Sequence, residues 1–483
     1  MPTRPHVVVL MTDQHRADCL SCAGHPNVRT PNLDRIAAEG TRFANTYTSC
    51  PVCMPARSSF LTGLYSHNHG QWKNGGHLPR GTDTFALRLR EAGYDTFHVG
   101  KSHYYGHRKN DHLDNHKDYL DALGWSDACE TTGPFATLQC RSALTDRWEK
   151  QGLWKVFRED YRRRSEVNRA KATWPSPLPE AEHPDAFVGR RAVEHIERYD
   201  ADRPMLLFVG FGGPHYPWDP PACWAEKYDP SDMDPALATD EPPGWLPPAA
   251  ARHMQELRDS PLEDSPVDPD DNARFRALYY AKISHIDHWC GRILEALEAR
   301  GMRDDTAVVF WSDHGEMLGD KGRFAKSVLY DGAVRVPLIV RPPGGAAGGA
   351  CEALVSLVDA PATILDLAGC GESSGGEPLG FGRSLVKALG GQTAGEGWSG
   401  REAVFSEIAR RTMVCDGRYK MVVAHTGELL KLFDLREDPT EATNLAGRQE
   451  TRDVVAALRE RLLDWRLATD ARQPAYPPAS WPP

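Results

Sequence analysis

Five short strand-like runs, most of them apolar and rich in β-branched residues, recur along this chain of 483 residues and constrain its fold more than any other feature. They occupy 7–11, 94–99, 204–211, 306–311 and 334–340. Runs of this kind are typical of strands buried on both faces of a parallel sheet. Capped or amphipathic helices are predicted at 30–40, 55–63, 84–92, 186–199, 272–300 and 359–369. The sequence therefore predicts an α/β fold whose parallel strands are joined by helical crossovers.

The chain is too long for one typical domain. We expect a catalytic α/β domain at 1–375 and a smaller unit at 376–483, connected by the Gly/Ser-rich stretch 371–400. Two irregular insertions on the substrate side are expected, at about 104–184 and, as a Pro-rich rim or lid, at about 217–269. In the smaller unit, the sequence predicts antiparallel strands at 413–416, 420–424 and 430–435, a helix at 452–468 and a Pro-rich tail.

The composition limits the classes of partner. A net charge of −10 argues against nucleic acid as the main partner. No stretch approaches the roughly 20 apolar residues of a membrane span, and the first residues lack the pattern of a signal peptide. Eleven cysteines, an odd number, suit a reducing compartment. We expect a cytoplasmic protein with no membrane partner, either a monomer or a homo-oligomer.

Polar side chains follow four of the apolar runs directly. They are Asp13 and Gln14, Lys101 and His103, His215, and Asp313 and His314. Because open α/β sheets bind ligands at the carboxyl ends of their strands, we expect these side chains to meet in one site. Asp13 and Asp313 supply hard oxygen ligands. Gln14 adds a neutral carbonyl oxygen and His314 a nitrogen, so the set predicts a site for a divalent cation.

The stretch 50–63 predicts a short helix whose beginning favours negative charge. Pro55 suits the first turn of a helix, and Gly63 suits its end. Cys53 then lies just ahead of the helix N-terminus, where a thiolate or an anionic substrate is stabilised. Arg57 adds a full positive charge one turn further on. Because Cys53 also belongs to one of two C-x-x-C pairs (19–22 and 50–53), a Cys₄ zinc site is an open alternative.

The sequence from Cys53 to Arg57 resembles the Cys-x-Pro-x-Arg signature of the formylglycine-dependent (type I) sulfatases of the alkaline phosphatase superfamily. The resemblance implies an alkaline-phosphatase-like, mostly parallel sheet flanked by helices, with a smaller C-terminal α+β unit. It implies that a maturation enzyme converts Cys53 to formylglycine, whose hydrate attacks sulfur and whose oxygen joins the metal site. The segments 12–14 and 312–315 resemble the family's Ca²⁺ motifs. Gln14 replaces a second Asp found in many members, which leaves Mn²⁺ open.

Further segments resemble family motifs in the same order: 100–103, 213–217, 324–327 and 432–445. The resemblance implies that Lys101, His215 and Lys326 bind the sulfate group. Arg57 and Lys101 would stabilise the nucleophilic oxygen. His215, helped by Lys326, would protonate the departing alcohol, and His103 would take the proton that releases sulfate.

The predicted function is hydrolysis of a small-molecule sulfate monoester to an alcohol and sulfate. The Asp-Gln and Asp-His motifs resemble those of choline sulfatases. Hydrolysis of phosphonate monoesters or phosphodiesters by a related branch is the alternative, but that branch tends to replace Lys101 and His103 by neutral residues. A non-catalytic, zinc-stabilised protein is the hypothesis from another class. The alcohol is open; aromatic residues at 72, 104, 105 and 218 either bind it or pack in the core.

Overall fold

The computed structural model describes residues 4–167, 172–200, 202–238, 268–390 and 398–470. Its first eight strands are β1 (His6–Asp13), β2 (Thr41–Tyr47), β3 (Asp95–Lys101), β4 (Asp127–Thr131), β5 (Met205–Pro214), β6 (Thr306–Ser312), β7 (Leu338–Arg341) and β8 (Gly349–Ser356). They form one sheet in the order β4-β3-β5-β1-β6-β7-β2-β8. β7 runs antiparallel to both of its neighbours, and the other pairs are parallel. The predicted α/β fold with a mostly parallel sheet is confirmed.

Helices cover both faces of this sheet. The helices of the described residues are α1 (Pro31–Ala38), α2 (Cys53–Thr62), α3 (Ser66–His69), α4 (Phe85–Glu91), α5 (Lys117–Ala122), α6 (Pro134–Thr137), α7 (Ala143–Gln151), α8 (Leu153–Glu166), α9 (Pro184–Arg198), α10 (Ala222–Ala225), α11 (Pro269–Ala299), α12 (Asp331–Val334), α13 (Asp359–Leu367) and α14 (Arg452–Asp470). Apolar side chains of α2, α4 and α13 pack on one face, and those of α1, α9 and α11 pack on the other. The central strand β1 is buried from Val7 to Met11, as its uninterrupted apolar run predicts.

Most predicted elements are present, and two differ in detail. The run 334–340 begins at the last residue of the short helix α12, and strand β7 begins only at Leu338. Pro337 precedes it, and since proline has no N–H to donate to a ladder, the strand begins after it. Helix α2 begins at Cys53 itself, with Val52 as its N-cap residue, so Cys53 lies in the first turn instead of ahead of it.

The prediction that 104–184 is irregular is wrong for much of its length. The segment contains the edge strand β4 and the helices α5 to α8. Its aromatic residues build a separate small core around Trp148, Trp154, Phe157 and Tyr161. Of the Pro-rich stretch 217–269, the described part contains α10 and a 3-10 turn, Pro230–Asp232. Residues 239–267 lie outside the described residues, so the rim or lid stays a prediction.

The C-terminal part forms a second, antiparallel sheet with the order β12-β11-β10-β9. Its strands are β9 (Val404–Ile408), β10 (Arg411–Cys415), β11 (Tyr419–Ala424) and β12 (Leu429–Asp434). The three predicted strands are present, and β9 is an addition. The sheet shares an apolar cluster with the large domain, in which Val404 and Met413 join Tyr47 and Leu354. The boundary at 375/376 stays a prediction, and the Pro-rich tail at 471–483 lies outside the described residues.

Two features bear on compartment and partners. All eleven cysteines are free thiols. The side chains of Cys19, Cys22, Cys50 and Cys53 do not form a common metal cluster within the part of the chain that the structure describes. No helix in that part is long and apolar enough to cross a membrane.

Candidate active site

The carboxyl ends of the parallel strands bring the predicted residues together with the start of α2. Asp13 ends β1, Lys101 ends β3, and His215 follows the last residue of β5. Asp313 and His314 follow β6 directly. Because β3, β5, β1 and β6 are consecutive in the sheet, these ends are neighbours. Residues that are far apart in the sequence therefore meet in one site.

Cys53 lies within the group of predicted metal ligands. Its sulfur is 3.2 Å from His314 Nε2 and 3.8 Å from Asp13 Oδ1. His314 Nε2 is also 3.7 Å from Asp313 Oδ1. These four side chains each offer a ligand atom within 4.8 Å of the others, and all four are buried. The helix that carries Cys53 is buried at every one of its residues, so the sulfur is closed off on the helix side.

Arg57 joins the two carboxylates at the base of the site. Its Nη2 donates to Asp13 Oδ2 at 3.0 Å, and its Nε donates to Asp313 Oδ2 at 2.9 Å. Its Nη1 donates to the backbone carbonyl of Lys101 at 2.7 Å. The guanidinium thus fixes the first turns of α2 to the ends of β1, β3 and β6. Arg57 faces these carboxylates and not the open cavity, so its geometry suits positioning.

The cationic side chains gather on the other side of Cys53. Lys101 Nζ forms an ion pair with Asp13. Lys326 Nζ donates to Gln14 Oε1 at 2.6 Å and lies 2.8 Å from His215 Nε2. The predicted ligand oxygen of Gln14 therefore faces an ammonium group in this structure, and its role as a metal ligand stays a prediction.

His103 completes the group around Cys53. It lines the same cavity as Cys53, and its Nδ1 is buried without a partner among the described residues. Its backbone has φ of +53°, a left-handed conformation that is uncommon for a residue with a side chain. This local strain, at the turn after β3, aims the imidazole back at the sulfur.

The charges around Cys53 favour its thiolate. Burial opposes ionisation, but Lys326, Lys101 and His314 outweigh it and hold the pKa of the Cys53 thiol well below its usual range. Burial, followed by the positive charge of Lys326, lowers the pKa of His215 to about 4. The site is therefore arranged to hold negative charge at position 53 and to keep His215 neutral near pH 7.

The donor set fits a divalent cation. Asp13 and Asp313 are completely buried and face the same space. Burial and the neighbouring Asp13 raise the pKa of Asp313, as expected for two carboxylates that share a position made for positive charge. The two carboxylates and the His314 imidazole would hold the ion, and their oxygens suit a hard cation.

Sequence reasoning did not identify several residues that build the site. Glu316 is completely buried; it accepts the amide of Gln14 and the backbone N–H of Leu318 at 3.0 Å. Asn74 accepts the backbone N–H of Met54 at 3.1 Å, in the first turn of α2. Glu316 follows the Asp-His-Gly motif closely enough to be found from sequence, whereas Asn74 carries no such signal.

A cavity of about 340 Å³ opens above Cys53. Lys101, His103, His215 and Lys326 line its base. Apolar walls come from Val52, Pro134, Phe135 and Tyr216, with Asn74 and His107 as further polar groups. Tyr104, Tyr105 and Trp218 pack in hydrophobic cores and do not line this cavity, so packing explains them; Trp72, which is 37% exposed, does not line it either.

A helix-covered, mostly parallel sheet with the buried helix α2 at its strand ends is the alkaline-phosphatase-like fold. Residues 5–370 match the family model described as Sulfatase, and residues 319–468 match the one described as N-sulphoglucosamine sulphohydrolase, C-terminal. This chain therefore belongs to the sulfatase family, as a type I sulfatase of the alkaline phosphatase superfamily, and is a sulfuric ester hydrolase.

Individual relatives cover nearly the whole chain. An arylsulfatase of Clostridium perfringens is 30% identical over 95% of this chain and 94% of its own length. A choline-sulfatase of Rhizobium meliloti is 28% identical over 92% of this chain and 82% of its own. Among solved structures, phosphonate monoester hydrolase of Agrobacterium radiobacter aligns with a TM-score of 0.75 at 27% identity, over 96% of each chain.

Proposed function

We propose that this protein hydrolyses a small-molecule sulfate monoester at Cys53, after a maturation enzyme has converted that residue to formylglycine. The observation that carries the proposal is the surroundings of Cys53. Its buried sulfur lies beside His314 at 3.2 Å, within a cluster of two carboxylates, and at the base of a cavity lined by Lys101 and Lys326. A tetrahedral anion in that cavity meets positive charge at its base.

The family implies two groups that complete the site: the formylglycine supplies an oxygen nucleophile, and a divalent cation supplies Lewis-acid activation. Asp13, Asp313 and His314 would hold the cation, with Gln14 and residue 53 as further ligands. Because carboxylate and carbonyl oxygens dominate this set, we propose Ca²⁺, with Mn²⁺ as the alternative.

The chain's own cations bind the sulfate group. Lys101 and Lys326 line the cavity together with Cys53, and both are buried. In this position their charge offsets the negative charge of the sulfate oxygens, and in a buried site that effect is stronger than in water. His215 lies next to Lys326 and adds a further polar contact.

The proton for the departing alcohol is held by the Lys326–His215 pair. His215 Nδ1 lies 2.5 Å from the Tyr216 carbonyl, which accepts only, so this nitrogen carries the hydrogen. His215 Nε2 then accepts from Lys326 Nζ at 2.8 Å. We therefore assign the transferable proton to Lys326 Nζ, with His215 orienting the ammonium group, which reverses the roles expected from the family resemblance. His103, which lines the cavity beside Cys53, is placed to accept a proton at that residue.

Two further points complete the proposal. Free thiols at all eleven cysteines support a reducing compartment, and we propose the cytoplasm. The cavity walls at Phe135 and Tyr216 would contact the alcohol part of the ester.

Hydrolysis of phosphonate monoesters or phosphodiesters is the second candidate. The structural likeness to phosphonate monoester hydrolase of Agrobacterium radiobacter, 27% identical, favours it. Lys101 and His103 favour sulfate, because the resemblance drawn from sequence assigns neutral residues to these positions in that branch. In this chain Lys101 forms an ion pair with Asp13, and His103 lines the cavity beside Cys53.

A panel of esters with one shared leaving group tests the proposal. We expect matured protein to hydrolyse 4-nitrophenyl sulfate with a higher kcat/KM than 4-nitrophenyl phenylphosphonate or bis(4-nitrophenyl) phosphate. Mass spectrometry of the peptide containing Cys53 reports the conversion to formylglycine. Cys53→Ala abolishes turnover, and Cys223→Ala, at an exposed cysteine, leaves it unchanged. A preference for the phosphorus esters contradicts the proposal in favour of the second candidate.

A further inference from the structure

A second cluster of metal-binding side chains lies outside the Cys53 site. Among the described residues, His183, Asp185 and His285 each offer a ligand atom, and these atoms lie within 4.8 Å of one another. All three side chains are at least 98% buried. His183 is the N-cap residue of α9, Asp185 lies in the first turn of that helix, and His285 lies in the middle of α11.

The first imidazole is held in the tautomer that a metal requires. His183 Nε2 lies 3.2 Å from the backbone carbonyl of Asp219, which accepts only, so Nε2 carries the hydrogen. Its Nδ1 is then a lone-pair nitrogen, 3.7 Å from Asp185 Oδ2. It accepts the backbone N–H of Asp185 at 3.3 Å, a long hydrogen bond that a metal ion would replace. Ligating histidines in metal sites are commonly oriented by such a carbonyl on the other nitrogen.

The second imidazole supplies a buried nitrogen that lacks a partner. His285 Nε2 lies 3.2 Å from the Glu180 carboxylate, an acceptor, and accepts from the Trp289 indole N–H at 3.2 Å in the other tautomer, so these two partners require opposite tautomers. A metal ion at Nδ1 would select the tautomer with the hydrogen on Nε2. A carboxylate accepts only from a protonated nitrogen, so the tautomer that pairs with Glu180 leaves a lone pair on Nδ1. Nδ1 has no hydrogen-bond partner among the described residues, although the side chain is 0% exposed. A buried polar atom without a hydrogen-bond partner is rare in folded proteins, and here it indicates a position for a ligand.

The surrounding charge suits a cation. Three carboxylates (Glu180, Asp185 and Asp219) surround the two imidazoles, and Lys282 is the ammonium group that pairs with Asp219 at 2.9 Å. Asp185 Oδ1 accepts the backbone N–H groups of Gly212 and Gly213 at 2.9 and 3.0 Å. The same carboxylate therefore holds the end of β5, two residues before His215.

We propose that His183, Asp185 and His285 form a zinc site that joins α9 to α11 next to the end of β5, the strand that precedes His215. Two imidazoles and one carboxylate match the ligands that Zn²⁺ prefers, with water at the remaining position. The oxygen-rich set at Asp13 and Asp313 suits Ca²⁺ instead. The two sites thus differ in the metal they select. The zinc site does not depend on which ester the enzyme hydrolyses.

Zinc uptake by full-length protein, stripped of metal and then supplied with excess Ca²⁺, tests the proposal. We expect wild-type protein to bind one more equivalent of Zn²⁺ than His285→Gln or His183→Gln. His288→Gln is the matched control, since this partly exposed histidine lies on the same helix outside the cluster, and it retains wild-type uptake. Co²⁺ in place of Zn²⁺ gives a visible ligand-field spectrum, which reports nitrogen ligands without reference to activity.

Diffraction from zinc-soaked wild-type crystals locates the ion even if the variants fail to fold. An anomalous peak at the zinc edge between His183, Asp185 and His285 supports the proposal. Equal uptake by wild type and folded His285→Gln overturns it, and so does a zinc peak found only at cysteines or at Asp13 and Asp313. Failure of the sulfatase proposal would appear in the ester panel and would not alter these readings.

Discussion

Glu130, in the edge strand β4, binds the segment that follows β3, next to Lys101 and His103. Its carboxyl group contacts Ser102 Oγ and accepts from Tyr105 Oη at 2.5 Å, and the residue is only 4% exposed. Burial raises the pKa of Glu130 to about 7, well above its ordinary value of 4.5. A titrating group therefore contacts Ser102, the residue between Lys101 and His103, which both belong to the proposed active site.

The raised pKa of Glu130 predicts a pH-dependent stability. Between pH 4.5 and 7 the folded protein holds a proton on this carboxyl that the unfolded chain has released. This stabilisation is complete below pH 4.5 and is lost as the pH rises through 7, at most about 3 kcal/mol. We expect Glu130→Gln to flatten this fall in the free energy of unfolding, measured by urea denaturation across the range. Asp127→Asn, at an exposed acid of the same strand, is the control. Equal slopes for Glu130→Gln and wild type would contradict the prediction.

For single residues, the sequence predicts the active-site side chains that directly follow strands. It does not predict the residues that hold those side chains in place. Asp13 and His215 could be identified because an apolar run ends directly before them. Glu130 follows no recognisable motif, and its partners Ser102 and Tyr105 belong to another strand and its loop. Its function depends on the pairing of β3 with β4, which the residues of β4 alone do not specify.

Helix α11 holds the loop after β5 through one buried ammonium group. Lys282 Nζ donates to the carbonyls of His215 and Pro217 at 3.0 and 3.1 Å and to Asp219 Oδ1 at 2.9 Å. Its side chain is 3% exposed and that of Asp219 is 6% exposed. The helix thereby fixes the backbone that positions His215.

We expect removal of this ammonium group to lower the free energy of unfolding markedly. Lys282→Met leaves Asp219 buried without its cation and should lower the free energy of unfolding by about 3–5 kcal/mol. Arg292→Met, which breaks the exposed Arg292–Glu295 pair on the same helix, should cost less than about 1 kcal/mol. Chemical denaturation of both variants measures the difference. The double variant Lys282→Met/Asp219→Asn should recover part of the loss; no recovery, or equal costs at the two sites, would refute the assignment.

Elements were predicted well where one periodic signal sufficed. Helix α11 shows apolar spacing along its whole length, and its predicted range 272–300 agrees closely with Pro269–Ala299. Strand β7 was found, but its antiparallel direction and its place between β6 and β2 depend on contacts distant in sequence. Helices α7 and α8 escaped prediction because many charged residues obscure an apolar stripe that packs on a separate small core.

At the scale of the whole molecule, the large sheet and the C-terminal sheet share an apolar cluster and are joined by buried ion pairs. Lys420, on strand β11, is completely buried and contacts both Asp331 of the large domain and Glu441. Arg401 makes an ion pair with Asp359 at the start of α13. Together with the apolar cluster around Met413 and Leu354, these contacts tie the C-terminal sheet to the catalytic part.

Shared packing predicts cooperative unfolding of the described parts. We expect one heat-absorption peak in calorimetry, with a van't Hoff enthalpy close to the calorimetric enthalpy. Lys420→Met leaves two carboxylates without their cation and should move the entire peak to lower temperature. Arg461→Met, at an exposed pair with Glu402, should leave the peak in place. Two separate peaks, one of them unaffected by Lys420→Met, would show instead that the predicted boundary at 375/376 divides independent folding units.

The burial of α2 sets an order of events for the newly made chain. Once the helix is covered along its length, Cys53 is only 1% exposed, and no second protein can bind the peptide around it. On the proposed function, the enzyme that converts this cysteine would have to act while the nascent segment is still extended. Folding and processing would then compete, and a copy that folds first would remain inactive however much processing enzyme arrives afterwards.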